Sequence, residues 1–426
     1  MGEPVSSGPG AFIRAQAREQ RRVLSIEPRA PASLVARVWR WFGATFVREL
    51  AWQLSLLDGL LLGGWAAIGG PRHRVGRWIG AALGLTLLVH LRHAVTAHRS
   101  AATVEEALAG LPSAGDGPRM PLSHVALPPL MFRSKDVAIE RGLVYSEVDG
   151  TRLRLDVYRP HRDVAPPRPA RAERRPAVIQ VHGGGWLSGS RFEQGIPLLN
   201  HLAALGWVGF NIDYRLSPQA TWPDHIVDVK RAICWVRENA AELGVDPERI
   251  AITGGSAGGH LTAVAGLSEN DPDFQPGFER ADTSVLAAVP FYGVYDLTNS
   301  AGHYYPQLRE WAFERIVIKR PLDGNRELYE RASPLFRVHP DAPPFMVVHG
   351  DRDTLVPVGD ARDFVARLGE VSRAEVRYVE LPGAEHAFDL WPSVRTARVA
   401  DAIGRFLGAV VAADARSHGD RVGSSA

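Results

Sequence analysis

The sequence predicts an α/β protein, a mostly parallel sheet flanked by helices, with an apolar helical region in front of it. Three observations carry that expectation. Short β-rich runs alternate with helical runs from about Leu143 to Val411, the pattern of strands joined by crossover helices. The pair Asp149-Gly150 lies between two such runs and marks a two-residue hairpin at the start of the sheet. Ahead of these, two apolar runs joined by a basic loop occupy residues 51–91, a helical hairpin by composition and period.

Residues 1–50 form a basic, partly amphipathic region in which Arg14, Arg18, Arg21, Arg22, Arg29, Arg37, Arg40 and Arg48 crowd together. Within it, Leu34 to Phe42 mixes aromatic and basic side chains, a composition suited to an anionic membrane interface. Ala51 to Gly70 then runs twenty residues with only Gln53, Ser55 and Asp58 polar, long enough to cross a hydrocarbon core. A shorter run, Trp78 to Leu91, follows the loop Pro71 to Arg77. Residues 51–98 therefore read as a membrane-anchoring hairpin, the competing reading being a helical pair buried against the main domain. His90, His93 and His98 are too loosely spaced for a metal site and read as solvated or interfacial. A cleaved signal peptide fits poorly, because a long polar stretch precedes the first apolar run.

Residues 99–135 are broken by Gly110, Pro112, Gly115, Pro118, Pro121 and Pro128 and read as a linker. The main domain spans 136–413. Its expected strands are Leu143–Val148, Leu153–Tyr158, Ala177–Val181, Val208–Asp213, Ile250–Thr253, Leu286–Phe291, Phe345–His349 and Val376–Glu380, eight in all. Helical periodicity covers Glu193–Leu205, Pro223–Leu243, His260–Leu267, Ala361–Leu368 and Val394–Val411. The interval Gly293–Pro343 is too long for a simple crossover and predicts a cap over the sheet's carboxyl edge at about 294–342. Residues 414–426 read as a disordered tail.

Composition narrows the function. The 426 residues are 45% hydrophobic and 23% charged, ordinary for a protein with a sizeable core. Lys and Arg total 49 against 47 Asp and Glu, which leaves no overall electrostatic footprint for nucleic acid. The single cysteine, Cys234, excludes an internal disulfide and an all-cysteine metal site, and reads as a buried small hydrophobe.

Four segments carry chemistry. Ile250–Thr253 runs into Gly254-Gly255-Ser256-Ala257-Gly258-Gly259 and then a helix, the strand, turn and helix that a G-x-S-x-G elbow needs to project its serine. His182-Gly183-Gly184-Gly185-Trp186 directly follows another strand; its glycines let backbone N–H groups converge on a developing oxyanion. A phosphate cradle is the rival, but neither G-K-[ST] nor G-x-G-x-x-G is present. A serine hydroxyl needs a base, and the base needs an orienting carboxylate. Asp351-Arg352-Asp353-Thr354-Leu355-Val356-Pro357 and Glu385-His386-Ala387-Phe388 each follow a strand's carboxyl end, so Ser256, Asp353 and His386 occur in the α/β-hydrolase order.

Together with Asp213-Tyr214-Arg215-Leu216-Ser217-Pro218, these segments resemble the α/β-hydrolase esterases of the hormone-sensitive-lipase-like group and its bacterial carboxylesterase relatives, over about residues 140–412. The resemblance implies Ser256 as nucleophile, His386 as base, Asp353 as its orienting acid, and an oxyanion hole from the N–H groups of Gly184, Gly185 and Ala257. The Ser217-Pro218 tail departs from the group's more frequent Ala-Pro, and the amino-terminal region lies outside its common core. Asp351 competes with Asp353 for the acid's role, with Asp353 favoured by its position before Leu355-Val356-Pro357. Trp186 is a candidate floor for the substrate pocket or a packing residue. Asp213 and Arg215 are expected to brace loops, and His182, His260 and His349 to be structural.

The expected function is a serine carboxylic-ester hydrolase acting on small-molecule or lipid esters, without metal or organic cofactor. It is expected at a membrane through residues 51–91, or otherwise in the cytoplasm. An amidase or exopeptidase of the same fold is the runner-up, and a non-catalytic binding module the third reading.

Overall fold

The structure, a computed structural model, describes residues 32–111, 120, 136–161, 174–391 and 393–423. The first 31 residues and most of the expected linker lie outside the described residues.

Three helices precede the sheet: α1 (Ala32–Glu49), α2 (Ala51–Ala67) and α3 (Arg74–Ala107). The hairpin of α2 and α3 turns through Gly70–Arg72. Asp58, which interrupts the first apolar run, faces His90 across the hairpin, with Oδ2 and Nδ1 2.6 Å apart. Trp52 Nε1 donates to His98 Nε2 at 3.1 Å nearer the domain. By length and composition α3 is able to cross a membrane, and only 6% of its apolar window is buried. Leu56, Leu57, Leu60, Ile68, Trp78, Leu85 and Leu88 are all exposed, so the outer part of the hairpin is not packed on the main domain.

The carboxyl half of α3 behaves differently. Ala94, Ala97, Ser100 and Val104 recur on one face and are buried, Val104 in one cluster with Val379 and Phe406. Packing therefore carries the helix to Ala107, past residue 99 where the linker was expected to begin.

Strands β1 (Val137–Val148) and β2 (Thr151–Pro160) form the expected hairpin. Asp149 and Gly150 adopt φ 50° and 73°, the left-handed pair of a type I′ turn. Strands β3 (Arg175–Val181), β4 (Val208–Ile212), β5 (Val245–Gly255), β6 (Ala288–Phe291), β7 (Phe345–Gly350) and β8 (Val376–Leu381) complete the sheet. The order is β1-β2-β4-β3-β5-β6-β7-β8. The pairs β1–β2 and β2–β4 are antiparallel and the rest parallel. Strands β3, β4, β6 and β7 read as short apolar runs because helices cover both faces.

The covering helices are α4 (Ile196–Ala204), α5 (Asp224–Glu238), α6 (Ala257–Gly266), α7 (Arg326–Ala332), α8 (Val358–Val371) and α9 (Val394–Gly423). Residues 414–426, expected as a disordered tail, are helical as far as Gly423. Alanine-rich sequence continues α9, and Asp414 Oδ2 lies 3.3 Å from Arg249 Nε. The expected cap between β6 and β7 holds a π-helical segment, Arg309–Val317, and α7. Its Trp311, Phe313, Ile316 and Val317 are buried in the main core, which makes the insertion an integral layer over the sheet's carboxyl edge.

Candidate active site

Four segments at the carboxyl ends of β3, β5, β7 and β8 converge on one point. The turn from β5 into α6 places Ser256 at φ 58° and ψ −121°, a conformation that costs a non-glycine residue on the order of 1–3 kcal/mol. It is held by surrounding packing. Ser256 N–H donates to Phe291 O at 3.0 Å, and a Cβ on Gly254 would meet Val181 O at 2.6 Å. The strand can enter the turn only because position 254 has no side chain.

Ser256 Oγ lies 2.9 Å from His386 Nε2. On the ring's other side, His386 Nδ1 lies 2.6 Å from Asp353 Oδ2. Asp353 Oδ1 accepts from the N–H groups of Leu355 and Val356 at 2.9 and 2.7 Å. Its carboxylate side chain is fully buried. Burial alone raises its pKa, but the neighbouring His386 and His349 outweigh this and hold it well below the usual carboxylate range. A permanently anionic carboxylate against Nδ1 keeps Nε2 directed at the serine, the arrangement a hydroxyl needs to lose its proton.

The glycine loop after β3 abuts this turn. A Cβ on Gly183 would come within 2.7 Å of Gly255 O, and Gly184 adopts φ 110°, open to glycine. Gly184, Gly185 and Ala257 thus lie on the two segments that meet at Ser256. His182, which leads the loop, is neutralised by burial, its pKa lowered, and its Nδ1 lies 2.7 Å from Gly183 O. Gln194 Oε1 accepts from Gly183 N–H at 2.5 Å.

The remaining sequence candidates fall into bracing positions. Asp351 Oδ1 accepts from Gly383 N–H at 2.6 Å, away from the His386 ring. Asp213 pairs with Arg191, and Arg215 Nε donates to Asp228 Oδ2 at 2.8 Å. Trp186 is buried, with edge contacts to His260 and Phe313 at centroid distances of 5.2 and 5.9 Å, and so ties the glycine loop to the cap. His260 Nε2 lies 2.7 Å from Ala332 O. Cys234 is buried, and burial pushes its thiol up to about 11. Among the described residues, no cluster of His, Cys, Asp and Glu could hold a metal.

Several neighbours of His386 were not legible in the sequence. His349 Nε2 lies 3.3 Å from Asp353 Oδ2 as a second partner. The Tyr292 ring packs on the His386 ring at 4.6 Å, and its hydroxyl donates to Asp389. The basic amino-terminal helix adds more. Trp41 Nε1 and Thr45 Oγ1 donate to His386 O at 2.7 and 3.2 Å. Arg48 pairs with Glu385 at 2.7 Å, and Glu385 also accepts from Thr354 N–H at 2.6 Å. Arg37 lies 4.0 Å over the Tyr305 ring of the cap. The segment read as a membrane-interface element is therefore divided: Trp41 turns inward to the His386 loop, while Trp39 and Phe42 stay exposed. Contacts between residues so far apart in the chain, Trp41 and His386 being 345 positions apart, leave no local signal.

The BD-FAE family model matches residues 155–368, a span holding Ser256 and Asp353. The chain belongs to the BD-FAE family. Among curated relatives of this BD-FAE chain, the probable carboxylic ester hydrolase LipM of Mycobacterium tuberculosis is 43% identical over 279 residues, 65% of this chain and 63% of LipM. Esterase LipC of the same organism is 42% identical over 280 residues, 66% of this chain and 67% of LipC. The chain thus spans less than two thirds of LipM's length. Thermogutta terrifontis esterase 2 with butyrate bound is similar at TM-score 0.51 and 30% identity, over 64% of this chain and 92% of that one. With the sheet order above, this establishes an α/β-hydrolase fold, in agreement with the resemblance carried by the motifs.

Proposed function

We propose that this protein is a serine carboxylic-ester hydrolase, and that Ser256, His386 and Asp353 are its catalytic triad. The observation that carries the proposal is the unbroken relay from Ser256 Oγ to His386 Nε2 at 2.9 Å and from His386 Nδ1 to Asp353 at 2.6 Å. Ser256 Oγ attacks the ester carbonyl carbon as its proton passes to His386 Nε2. The carbonyl oxygen becomes an oxyanion, received by the N–H groups of Gly184, Gly185 and Ala257. Collapse breaks the bond to the alkoxy oxygen, which leaves as the alcohol with the proton from His386. Water then attacks the acyl-enzyme by the same route, His386 taking its proton, and the free acid departs.

The names of LipM and LipC, a carboxylic ester hydrolase and an esterase, support an ester rather than an amide or peptide as substrate. Butyrate bound to the similar thermophilic esterase supports a short acyl chain. The hairpin α2–α3, with its exposed leucines, is proposed to sit in a membrane and to tether the catalytic domain there.

The test is hydrolysis of p-nitrophenyl esters from acetyl to palmitoyl by detergent-solubilised wild type and Ser256→Ala. Wild type is expected to peak at short chains, and Ser256→Ala to lose at least about 10³-fold in kcat with its melting temperature kept. Substantial turnover by Ser256→Ala would overturn the assignment.

A further inference from the structure

The hairpin meets the catalytic domain at a cleft of about 460 Å³ whose lining includes Arg48, Val89, Arg92, His93, Asp351 and Arg352. Three guanidinium groups and an imidazole face a single carboxylate there. That carboxylate, Asp351, accepts from Gly383 N–H at 2.6 Å and offsets one guanidinium charge. Arg48 is paired with Glu385. Arg92 and Arg352 have no side-chain ion pair among the described residues and are exposed. The cleft therefore carries an uncompensated positive charge that an anion would relieve.

Its position along α3 is as informative as its charge. Up to Leu91 the helix exposes Trp78, Ile79, Leu85, Leu88 and Leu91; beyond Arg92 it buries Ala94, Ala97 and Ser100 against the domain. One face of the helix begins to pack on the domain at the cleft, while Val95 on the other face stays exposed. From Trp78 to Leu91 the helix spans about 21 Å at about 1.5 Å per residue, short of the roughly 30 Å of a hydrocarbon core, so the arginines at either end reach its boundaries by snorkelling. With the basic turn Arg72–Arg77 at one boundary, Arg92 and His93 stand at the other, at the depth of lipid headgroups. Trp52, half exposed and bonded to His98, lies on the same side, as interfacial tryptophans do.

We propose that this cleft binds the phosphate of an anionic membrane lipid, held by Arg92 and Arg352, with the acyl chains running along Val89 and Leu85 of the hairpin. The proposal rests on the membrane reading of α2–α3 given above. A phosphodiester headgroup supplies the charge these guanidiniums lack, and the apolar face beside them supplies the surface for its chains. Free phosphate shares the charge but not the chains.

The full chain is reconstituted with phosphatidylcholine vesicles, with and without phosphatidylglycerol, and flotation is measured. Binding of fluorescent phosphatidylglycerol to the detergent-solubilised protein is measured in parallel, with inorganic phosphate as competitor. Flotation with both vesicles is expected. Phosphatidylglycerol is expected to bind at least tenfold more tightly than phosphatidylcholine, a preference lost in Arg92→Gln/Arg352→Gln and kept in Arg92→Lys/Arg352→Lys. Melting temperatures of both variants separate misfolding from loss of the site, and the lysine pair decides the matter if the glutamine pair is unstable. Flotation without that preference, or a preference indifferent to the glutamine pair, overturns the headgroup site alone. Equal competition by inorganic phosphate overturns the lipid as ligand. Failure to float with either vesicle overturns the membrane reading and this proposal with it.

Discussion

At the scale of single residues, two aspartates two positions apart have different work. Asp353 faces His386 and is held anionic; Asp351 closes the turn after β8 through Gly383 N–H. Asp353→Asn is therefore expected to lower kcat on the order of 10³- to 10⁴-fold by removing the anion that orients the imidazole. Asp351→Asn is expected to change kcat less than about tenfold. Steady-state kinetics of the two variants checks this, and equal losses would contradict it. The choice between them was legible from the residues after Asp353, and their N–H groups explain why: those of Leu355 and Val356 bond its Oδ1. The second histidine on Asp353, His349, was not legible, because one buried histidine at a strand end looks like any other until its partner is placed.

A third aspartate yields a pH prediction. Asp360 Oδ2 accepts from Tyr295 N–H and Tyr304 Oη at 2.6 and 2.5 Å, yet burial pushes its pKa from 3.8 up to about 6 against those bonds. The folded state thus holds its proton more tightly than the unfolded chain. The resulting stabilisation is full below about pH 3.8 and is lost as pH rises through about 6, a swing of about 3 kcal/mol. Asp360→Asn keeps an acceptor oxygen without a charge to desolvate. Its melting temperature relative to wild type is expected to climb between pH 4 and 7, and a constant difference across that range would contradict the burial argument.

At the scale of elements, α1 is the feature whose surroundings sequence reading described only in part, since Trp39 and Phe42 are exposed while Trp41 packs at the His386 loop. Its arginines and aromatics suggested a membrane surface, but Trp41 and Thr45 instead donate to the carbonyl of His386. Amphipathic composition reports that a helix has an apolar face, and only tertiary contacts decide what covers it. The contacts make Trp41 a positioning residue for the His386 loop. Trp41→Ala with Thr45→Val is expected to lower kcat roughly tenfold or more, with KM little changed. Trp41→Phe alone, which keeps the ring, is expected to recover part of the loss. A change confined to KM would assign α1 to substrate binding instead. By contrast, the eight strands were legible because β3, β4, β6 and β7 are short apolar runs, and β1, β2 and β8 carry β-rich mixed sequence, between turn signals. The ends of α3 and α9 were misjudged where packing and helix-forming alanines outweighed the composition that suggested a linker and a tail.

At the scale of the whole molecule, the chain joins a packed α/β domain to an outer helical hairpin. The sheet, its covering helices and the cap form a core that buries Asp353 and positions the serine. The outer hairpin exposes leucines and pairs its one acidic residue, Asp58, with His90 across the hairpin. Helix α3 belongs to both halves, and α1 carries the junction to the His386 loop. The hairpin itself was legible from two apolar runs and a basic loop, whereas its coupling to the site depended on contacts between the first and last hundred residues. The central claim, that Ser256 is the nucleophile, is tested most directly by covalent capture. The full-length protein is treated with diethyl p-nitrophenyl phosphate and analysed by intact mass and peptide mapping. The account predicts one diethylphosphoryl group per chain on Ser256, loss of esterase activity in step with labelling, and no label in Ser256→Ala. Labelling at another residue, or full activity in a chain labelled at Ser256, would contradict it.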